Sequence, residues 1–324
     1  MVYAKNKAIE IMNDWGSKRI PFLFIIDFEM KAIRLFQLDS LPSGVDYSFP
    51  NLTPKRLHSK LSGQYYFRKY PVPLSQYQQA FLEVKRQILS GNSFLLNLTF
   101  PTRIETDLTL QEIYEFSHAK YKLLIDGEFL VFSPETFVTF TNGVISSYPM
   151  KGTIKATCPH ASQKLLNNPK EIAEHNTIVD LIRNDLSMIA KDIKVKRFRY
   201  IDKVSTNEED ILQVSSEIEG NLPKDYHKKL GDLIFILLPA GSVTGAPKMK
   251  TINIIRSVEQ TERGYYTGVF GYFDGINLDS AVMIRFIEHH ENILRFRSGG
   301  GITCNSLLES EYQELIDKVY VPLI

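Results

Sequence analysis

The chain has 324 residues, 44% of them hydrophobic and 23% charged, enough apolar material for one large domain or two modest ones with a sizeable core. Its 38 basic and 37 acidic residues leave a net charge of +1, so the basic surplus of a general nucleic-acid binder is missing, and the short cluster Lys194-Val195-Lys196-Arg197 reads as a solvated strand or loop. Two cysteines make no disulfide framework, Lys5, Lys7, Glu10 and Asp14 stand where a leader would be apolar, and the most apolar runs, Pro21 to Ile26 and Leu233 to Leu238, are too short to span a bilayer. A cytoplasmic protein is expected, with no membrane and no nucleic-acid partner.

The first 70 residues read as strands and turns, with Leu23 to Asp27 and Ile33 to Leu38 as a strand pair. Leu41 to Pro73 is proline-rich and without period, hence loop-rich. From Leu74 to Ser90 the apolar spacing becomes helical, and Gly91 is a natural stop. Thr136 to Phe140 and Val144 to Tyr148 flank Asn142-Gly143, a strong hairpin signal. A long helix follows to about Ala190, with Asn168 as cap, Pro169 at its first position and Glu171 completing an Asn-x-x-Glu start. A second helical stretch runs from Gly220 to Leu238, then a Gly-rich loop. Tyr265 to Thr303 reads as a β-meander with turns at Asp274-Gly275 and near Glu291-Asn292. The last helix starts near Ser310, where Ser310-x-x-Gln313 resembles a capping box. Antiparallel runs with interspersed helices predict an α+β fold.

Four constellations could carry chemistry. Glu171 and Glu174 on the long helix, and Glu311 and Glu314 on the last, are spaced to share a helix face. Two such pairs suit a hard divalent cation such as Mg²⁺, although solvated faces and capping carboxylates have the same spacing. A two-residue turn at Asn142-Gly143 pairs Glu135 with Met150 and Pro134 with Lys151. It therefore sets Glu135 and Lys151 within one residue of each other, on one face if a bulge intervenes. Such a pair is an acid beside a nucleophile, or a surface ion pair. Pro239 to Lys248 looks like a phosphate loop but fails its spacing, because Pro247 intervenes. Gly299-Gly300-Gly301 can bring backbone N–H groups close to an anion, with Arg285 as a carboxylate fork; a purely structural role is the alternative for both. There is no H-E-x-x-H, no G-x-S-x-G, and neither cysteine lies in a glutaminase-like elbow. His175 taken alone reads as structural.

In order along residues 74 to 324, SPETF, PMKGT, EIAEHNTIVDLIRNDL, LPAGSVTGAPK, ERGYYTGVFGYF, AVMIR, GGGIT and ESEYQELIDK resemble the chorismate-binding enzymes, which include anthranilate, aminodeoxychorismate, isochorismate and salicylate synthases. The resemblance implies two large, mostly antiparallel sheets packed face to face with helices outside. It makes residues 1–73 a strand- and loop-rich part of the same globular unit and 74–324 the chorismate-binding catalytic region. It implies Glu174 and Glu314 as principal Mg²⁺ ligands, supported by Glu171 and Glu311. Arg285, Tyr266 and the backbone of Gly299 and Gly301 would hold the enolpyruvyl carboxylate. Gly152, Thr153, Thr244 and Lys318 would add substrate contacts, and Glu135 would be the acid near the C4 hydroxyl.

Two positions sort the reaction. Water-adding members carry a lysine where this chain has Leu95, and leucine cannot be a base; aminating members usually have glutamine there, so Leu95 departs from both. Lys151 is common in the aminodeoxychorismate synthase branch and alanine in the anthranilate branch. Attack of the Lys151 amine on C2 with loss of the C4 hydroxyl would open C4 to ammonia, for which the amine must be partly neutral. Gln213 replaces a histidine linked to anthranilate formation. The expectation is amination of chorismate at C4 to 4-amino-4-deoxychorismate, for 4-aminobenzoate and folate synthesis. Ammonia would come from a separate glutamine amidotransferase subunit, and no tryptophan regulation is expected. Anthranilate synthase component I and an inactive chorismate-binding protein are the alternatives.

Overall fold

The computed structural model describes residues 1–50, 52, 65–204, 210–291 and 293–323, and of Thr153, Lys170 and Val204 it describes the backbone. They form two compact units, each assembled from three segments. The first comprises Met1–Leu41, Thr136–Ala246 and Arg263–Val282; the second comprises Pro42–Glu135, Pro247–Glu262 and Met283–Ile324.

The first unit is built on a ten-stranded sheet whose described ladders are antiparallel. From one edge its order is Val2–Tyr3, Ile33–Gln37, Phe22–Ile26, Val269–Phe273, Leu278–Val282, Thr136–Thr141, Val144–Ser147, Ile211–Asn221 and Met150–Lys155, with Lys191–Val204 also pairing Ile211–Asn221. The expected pair near the N-terminus forms, with Leu23 opposite Phe36. Phe22–Ile26 and Val269–Phe273 lie side by side and are buried throughout, which explains their unbroken apolar sequence. A helix, Lys5–Ser17, precedes them where strands and turns were expected. It buries Ala8, Met12 and Gly16, four residues apart, with the apolar Ile9, Ile11 and Trp15 half-buried beside them, a helical spacing that the reading of this segment as strands and turns passed over.

The Asn142-Gly143 hairpin forms as expected, with Val144 opposite Thr141 and both turn residues at positive φ, 52° and 80°, as a type I′ turn requires. The ladder does not continue to Glu135 and Met150. Beyond Ser147 the chain stays beside Ile211–Asn221 instead, with Met150 opposite Ser215 and Lys151 opposite Val214. The expected Glu135–Met150 pairing is therefore corrected: Thr136 begins its strand, and Lys151 belongs to a different ladder. The long helix spans Pro169–Ser187, and Asn168 Oδ1 accepts from Glu171 N–H at 3.4 Å, as the cap signal predicts. The stretch from Gly220 is still strand through Asn221; helix resumes only at Leu230–Leu237 after a 3₁₀ turn, Tyr226–Lys229.

The second unit has its own antiparallel sheet, ordered Leu95–Thr106, Ile293–Ile302, Phe286–His290, Phe129–Ser133, Tyr121–Ile125 and Val45–Ser48, with Phe67–Tyr70 on the far side of Leu95–Thr106. Its core gathers Ile104, Ile113, Leu124, Leu130, Phe132 and Phe296. Helix Leu74–Leu89 ends as predicted: Gly91 N–H reaches Ile88 O and Asn92 N–H reaches Gln87 O, with Gly91 at φ 74°, a Schellman stop. Helices Leu110–Phe116 and Lys248–Glu259 were not anticipated. The expected meander is two hairpins, Val269–Phe273 with Leu278–Val282 in the first sheet and Phe286–His290 with Ile293–Ile302 in the second; Asn292 of its second turn lies outside the described residues. The stretch 41–73 is described only in part and contributes two short strands. The last helix is Leu308–Asp317 with Leu307 as cap residue, so Ser310 lies inside it and no Ser310 capping box forms. Among the described residues no helix is long and apolar enough to cross a membrane.

Candidate active site

The first unit brings Lys151, Gly152, Glu171 and Glu174 together. The strand Met150–Lys155 shifts register between Lys151 and Thr153, and Gly152 sits at φ 74° in that bulge. A Cβ built on Gly152 would lie 3.0 Å from both Glu171 Oε2 and Leu165 Cδ1. Glycine is thus required twice there, by the backbone angle and by the approaching carboxylate. One residue earlier, Lys151 Nζ stands 3.8 Å from Glu174 Oε2, with 23% and 9% of the two side chains exposed. Thr153 pairs its backbone with Gln213; its side chain lies outside the described residues.

His175 is 1% exposed, and its Nε2 lies 2.7 Å from Ser216 Oγ, which accepts Arg199 N–H at 2.9 Å. Burial first, then the Arg199 and Lys151 charges, push its imidazole down to about 4. It is neutral at pH 7 and hydrogen-bonded, in keeping with a structural histidine. Arg199 has φ 47° at a register shift and donates through Nη2 to Leu166 O at 2.7 Å. This trio adjoining Glu174 was not foreseen, because it depends on which strand Ser216 lies in. Thr244 is fully buried, and its hydroxyl donates within its own turn, Ala240 O and Gly241 O accepting. Tyr266 is buried at 3% exposure.

In the second unit Gly299, Glu311, Glu314 and Lys318 converge. A Cβ on Gly300 would lie 3.4 Å from Glu311 Oε2 and 3.5 Å from Glu314 Oε1, so both carboxylates face the glycine strand. Lys318 Nζ donates to Glu314 Oε1 at 2.6 Å and to Gly299 O at 2.8 Å. Tyr77, buried at 1% exposure, has its phenol pushed up by burial and then by the Glu311 and Glu314 charges. No sequence signal pointed to Tyr77. Gly301 pairs with Asn97 in the ladder. Arg285 takes φ 53°, and its guanidinium lies 5.5 Å from the Tyr320 ring centroid. The Glu135 N–H donates to Ser133 Oγ at 3.1 Å, and Leu95 is buried at 3% exposure.

Among the described residues no three His, Cys, Asp or Glu side chains converge as a metal shell. Mg²⁺ does not need one: it binds through one or two carboxylates and keeps waters or substrate oxygens in its other positions. The two glutamate pairs fit that chemistry. Their donors are all oxygen, and a lysine ammonium stands beside one member of each, at Glu174 and at Glu314.

Residues 44–323 match the chorismate binding enzyme family. The chain is 48% identical over 321 residues to an uncharacterized PabA-like protein of Haemophilus influenzae, covering 97% of this chain and 96% of that one. It is 29% identical over 342 residues to aminodeoxychorismate synthase component 1 of Salmonella typhimurium, covering 98% and 73%. Its fold matches the menaquinone-specific isochorismate synthase MenF of Escherichia coli with a TM-score of 0.71 at 15% identity, covering 98% of this chain and 82% of that one. A chain with these two antiparallel sheets and acidic helices belongs to the chorismate-binding enzyme family. Within it, aminodeoxychorismate synthase component 1 is among the proteins it resembles over nearly its whole length.

Proposed function

We propose that this chain aminates chorismate at C4 with ammonia, giving 4-amino-4-deoxychorismate for 4-aminobenzoate and folate synthesis. The observation that carries the reading is Lys151: a half-buried lysine whose amine stands beside Glu174, on a strand bulged at Gly152. The similarity to aminodeoxychorismate synthase component 1 supports it. In this reading the Lys151 amine attacks C2, the ring double bonds shift, and the C4 hydroxyl leaves as water with a proton from Glu135. Ammonia then attacks C4, the double bonds shift back, and the C2–N bond to Lys151 breaks. Arg285, Tyr266 and the backbone of Gly299 and Gly301 would hold the enolpyruvyl carboxylate. Gly152, Thr153, Thr244 and Lys318 would orient the rest of the substrate. Glu174 and Glu314, with Glu171 and Glu311, would hold Mg²⁺. When bound, Mg²⁺ supplies Lewis-acid withdrawal of charge through the ring carboxylate. A separate glutamine amidotransferase would supply the ammonia.

A product assay by mass spectrometry tests this. Protein, chorismate, Mg²⁺ and an ammonium salt at mildly alkaline pH are expected to yield a species at the mass of aminodeoxychorismate, which an added lyase converts to 4-aminobenzoate. Lys151→Ala is expected to lose it by several orders of magnitude. Anthranilate from the wild type, or full activity in Lys151→Ala, would overturn the reading.

A further inference from the structure

The turn Thr303–Ser306 joins the glycine strand to the helix that carries Glu311 and Glu314, and three of its carbonyls point at one cation. Lys85 Nζ, from helix Leu74–Leu89, donates to Cys304 O at 2.5 Å, Ser306 O at 3.2 Å and Thr303 O at 3.5 Å. An ammonium has three N–H donors, and each has a carbonyl here. The Phe81 ring, one helical turn earlier, has its centroid 6.0 Å from the same Nζ, adding the negative face of a π-system. Within the turn, Ser306 N–H donates to Thr303 O at 3.2 Å, Thr303 N–H to Ser306 Oγ at 3.1 Å and Asn305 N–H to Thr303 Oγ1 at 3.3 Å. These local bonds bend the chain so that its carbonyl dipoles crowd together, an arrangement that a positive charge stabilises. Among the described residues the lysine makes no carboxylate pair of the ordinary surface kind, whose worth would be small. Its bonds run from a charged donor to backbone carbonyls, the stronger class.

We propose that Lys85 is a built-in monovalent cation: a positioning residue whose ammonium fixes the Thr303–Ser306 turn and, through it, the settings of Gly299–Gly301, Glu311 and Glu314. Its part in substrate binding rests on the chorismate reading; its part as a cation does not. Three converging backbone carbonyls form a K⁺ site once the ammonium is gone, because such oxygens replace the ion's hydration shell. Lys85→Ala should therefore acquire a K⁺ dependence that the wild type lacks.

The test uses the full chain, wild type and Lys85→Ala, in KCl and in tetramethylammonium chloride of equal ionic strength. Thermal unfolding is expected to show a higher midpoint in KCl for the variant alone. Calorimetric titration with chorismate in the presence of Mg²⁺ is expected to show binding weakened about 10- to 100-fold in the tetramethylammonium salt, the scale for residues that hold up a ligand set, and recovered in KCl. Should Lys85→Ala not fold in either salt, Lys85→Gln takes its place with the same two arms. Identical behaviour in the two salts overturns the cation role. If K⁺ stabilises the variant but leaves its chorismate affinity unchanged, the link to the site is overturned. Failure of the wild type to bind chorismate sinks the functional reading, while the K⁺ response still decides the cation.

Discussion

Gly152 shows how much a single residue decides beside the Glu171 carboxylate. Alanine there would have to adopt a left-handed backbone and press its Cβ to 3.0 Å from the Glu171 carboxylate. Gly152→Ala is expected to lose about 1–3 kcal/mol of stability, the cost of a strained backbone, and, in the proposed Mg²⁺ role of Glu171, to weaken activation by Mg²⁺ because Glu171 must move. Urea unfolding and a Mg²⁺ titration check it; a variant matching wild type in both would mean the bulge relaxes freely. Lys122 offers a test of burial. At 5% exposure its ammonium donates to Tyr114 O at 2.6 Å and Ser117 O at 2.9 Å, and burial, partly offset by Glu115, pushes it down to about 8. Between pH 8 and the unfolded value near 10.5, the unfolded chain holds the extra proton, so stability rises with pH through that window. The stability of wild type relative to Lys122→Met should rise by about 3 kcal/mol from pH 8 to 10.5. A pH-independent difference, measured by urea unfolding of both proteins, would contradict it. The contrast between Lys151 and Ser216 shows what a sequence discloses at this scale. Lys151 lies in a contiguous motif, whereas Ser216 meets His175 only through a ladder register that no local pattern encodes.

Helix starts allow a graded comparison. Thr109 forms a full capping box: its Oγ1 accepts Glu112 N–H at 3.2 Å while Glu112 Oε2 accepts Thr109 N–H at 2.8 Å. Asn168 accepts from Glu171 N–H at a longer 3.4 Å. Thr109→Ala is expected to cost about 1–2 kcal/mol and Asn168→Ala about 0.5–1 kcal/mol, within the range for lost caps. In the proposed Mg²⁺ role of Glu171 and Glu174, which lie in the first turns of that helix, the Asn168 change should also weaken activation by Mg²⁺; the Thr109 change should not. Chemical denaturation paired with Mg²⁺ titration would expose a reversed order. The same signals explain which elements the sequence discloses. Helices Leu74–Leu89 and Pro169–Ser187 are long, periodic and marked at an end, and both are legible. Helix Leu110–Phe116 carries its Thr-x-x-Glu signature but is too short to show a period. The Ser310-x-x-Gln313 pattern misleads because the helix has already begun at Leu308.

On the scale of the whole molecule, α+β and two antiparallel sheets are legible from alternating strands and from the family resemblance, but the partition between sheets is not. Val282 and Met283 are neighbours in sequence and belong to different units, and nothing in the apolar pattern of Tyr265 to Thr303 marks the change. A truncation at that junction therefore separates the two sheets. Removing residues 283–324 takes away Phe286–His290 and Ile293–Ile302, the strands that pair Phe129–Ser133 and Leu95–Thr106. Every segment of the first unit remains, including the buried neighbours Phe22–Ile26 and Val269–Phe273. Backbone groups of Leu95–Thr106 would lose their partners along Leu294 to Ile302 and could not stay buried unpaired. Hydrogen exchange on the fragment 1–282 is expected to show Leu96–Thr102, beyond the reach of the remaining Phe67–Tyr70 ladder, unprotected and Phe22–Ile26 still protected. Loss of protection in both strands would mean that the first sheet does not stand on its own core; retained protection at Leu96–Thr102 would mean that this stretch finds another partner.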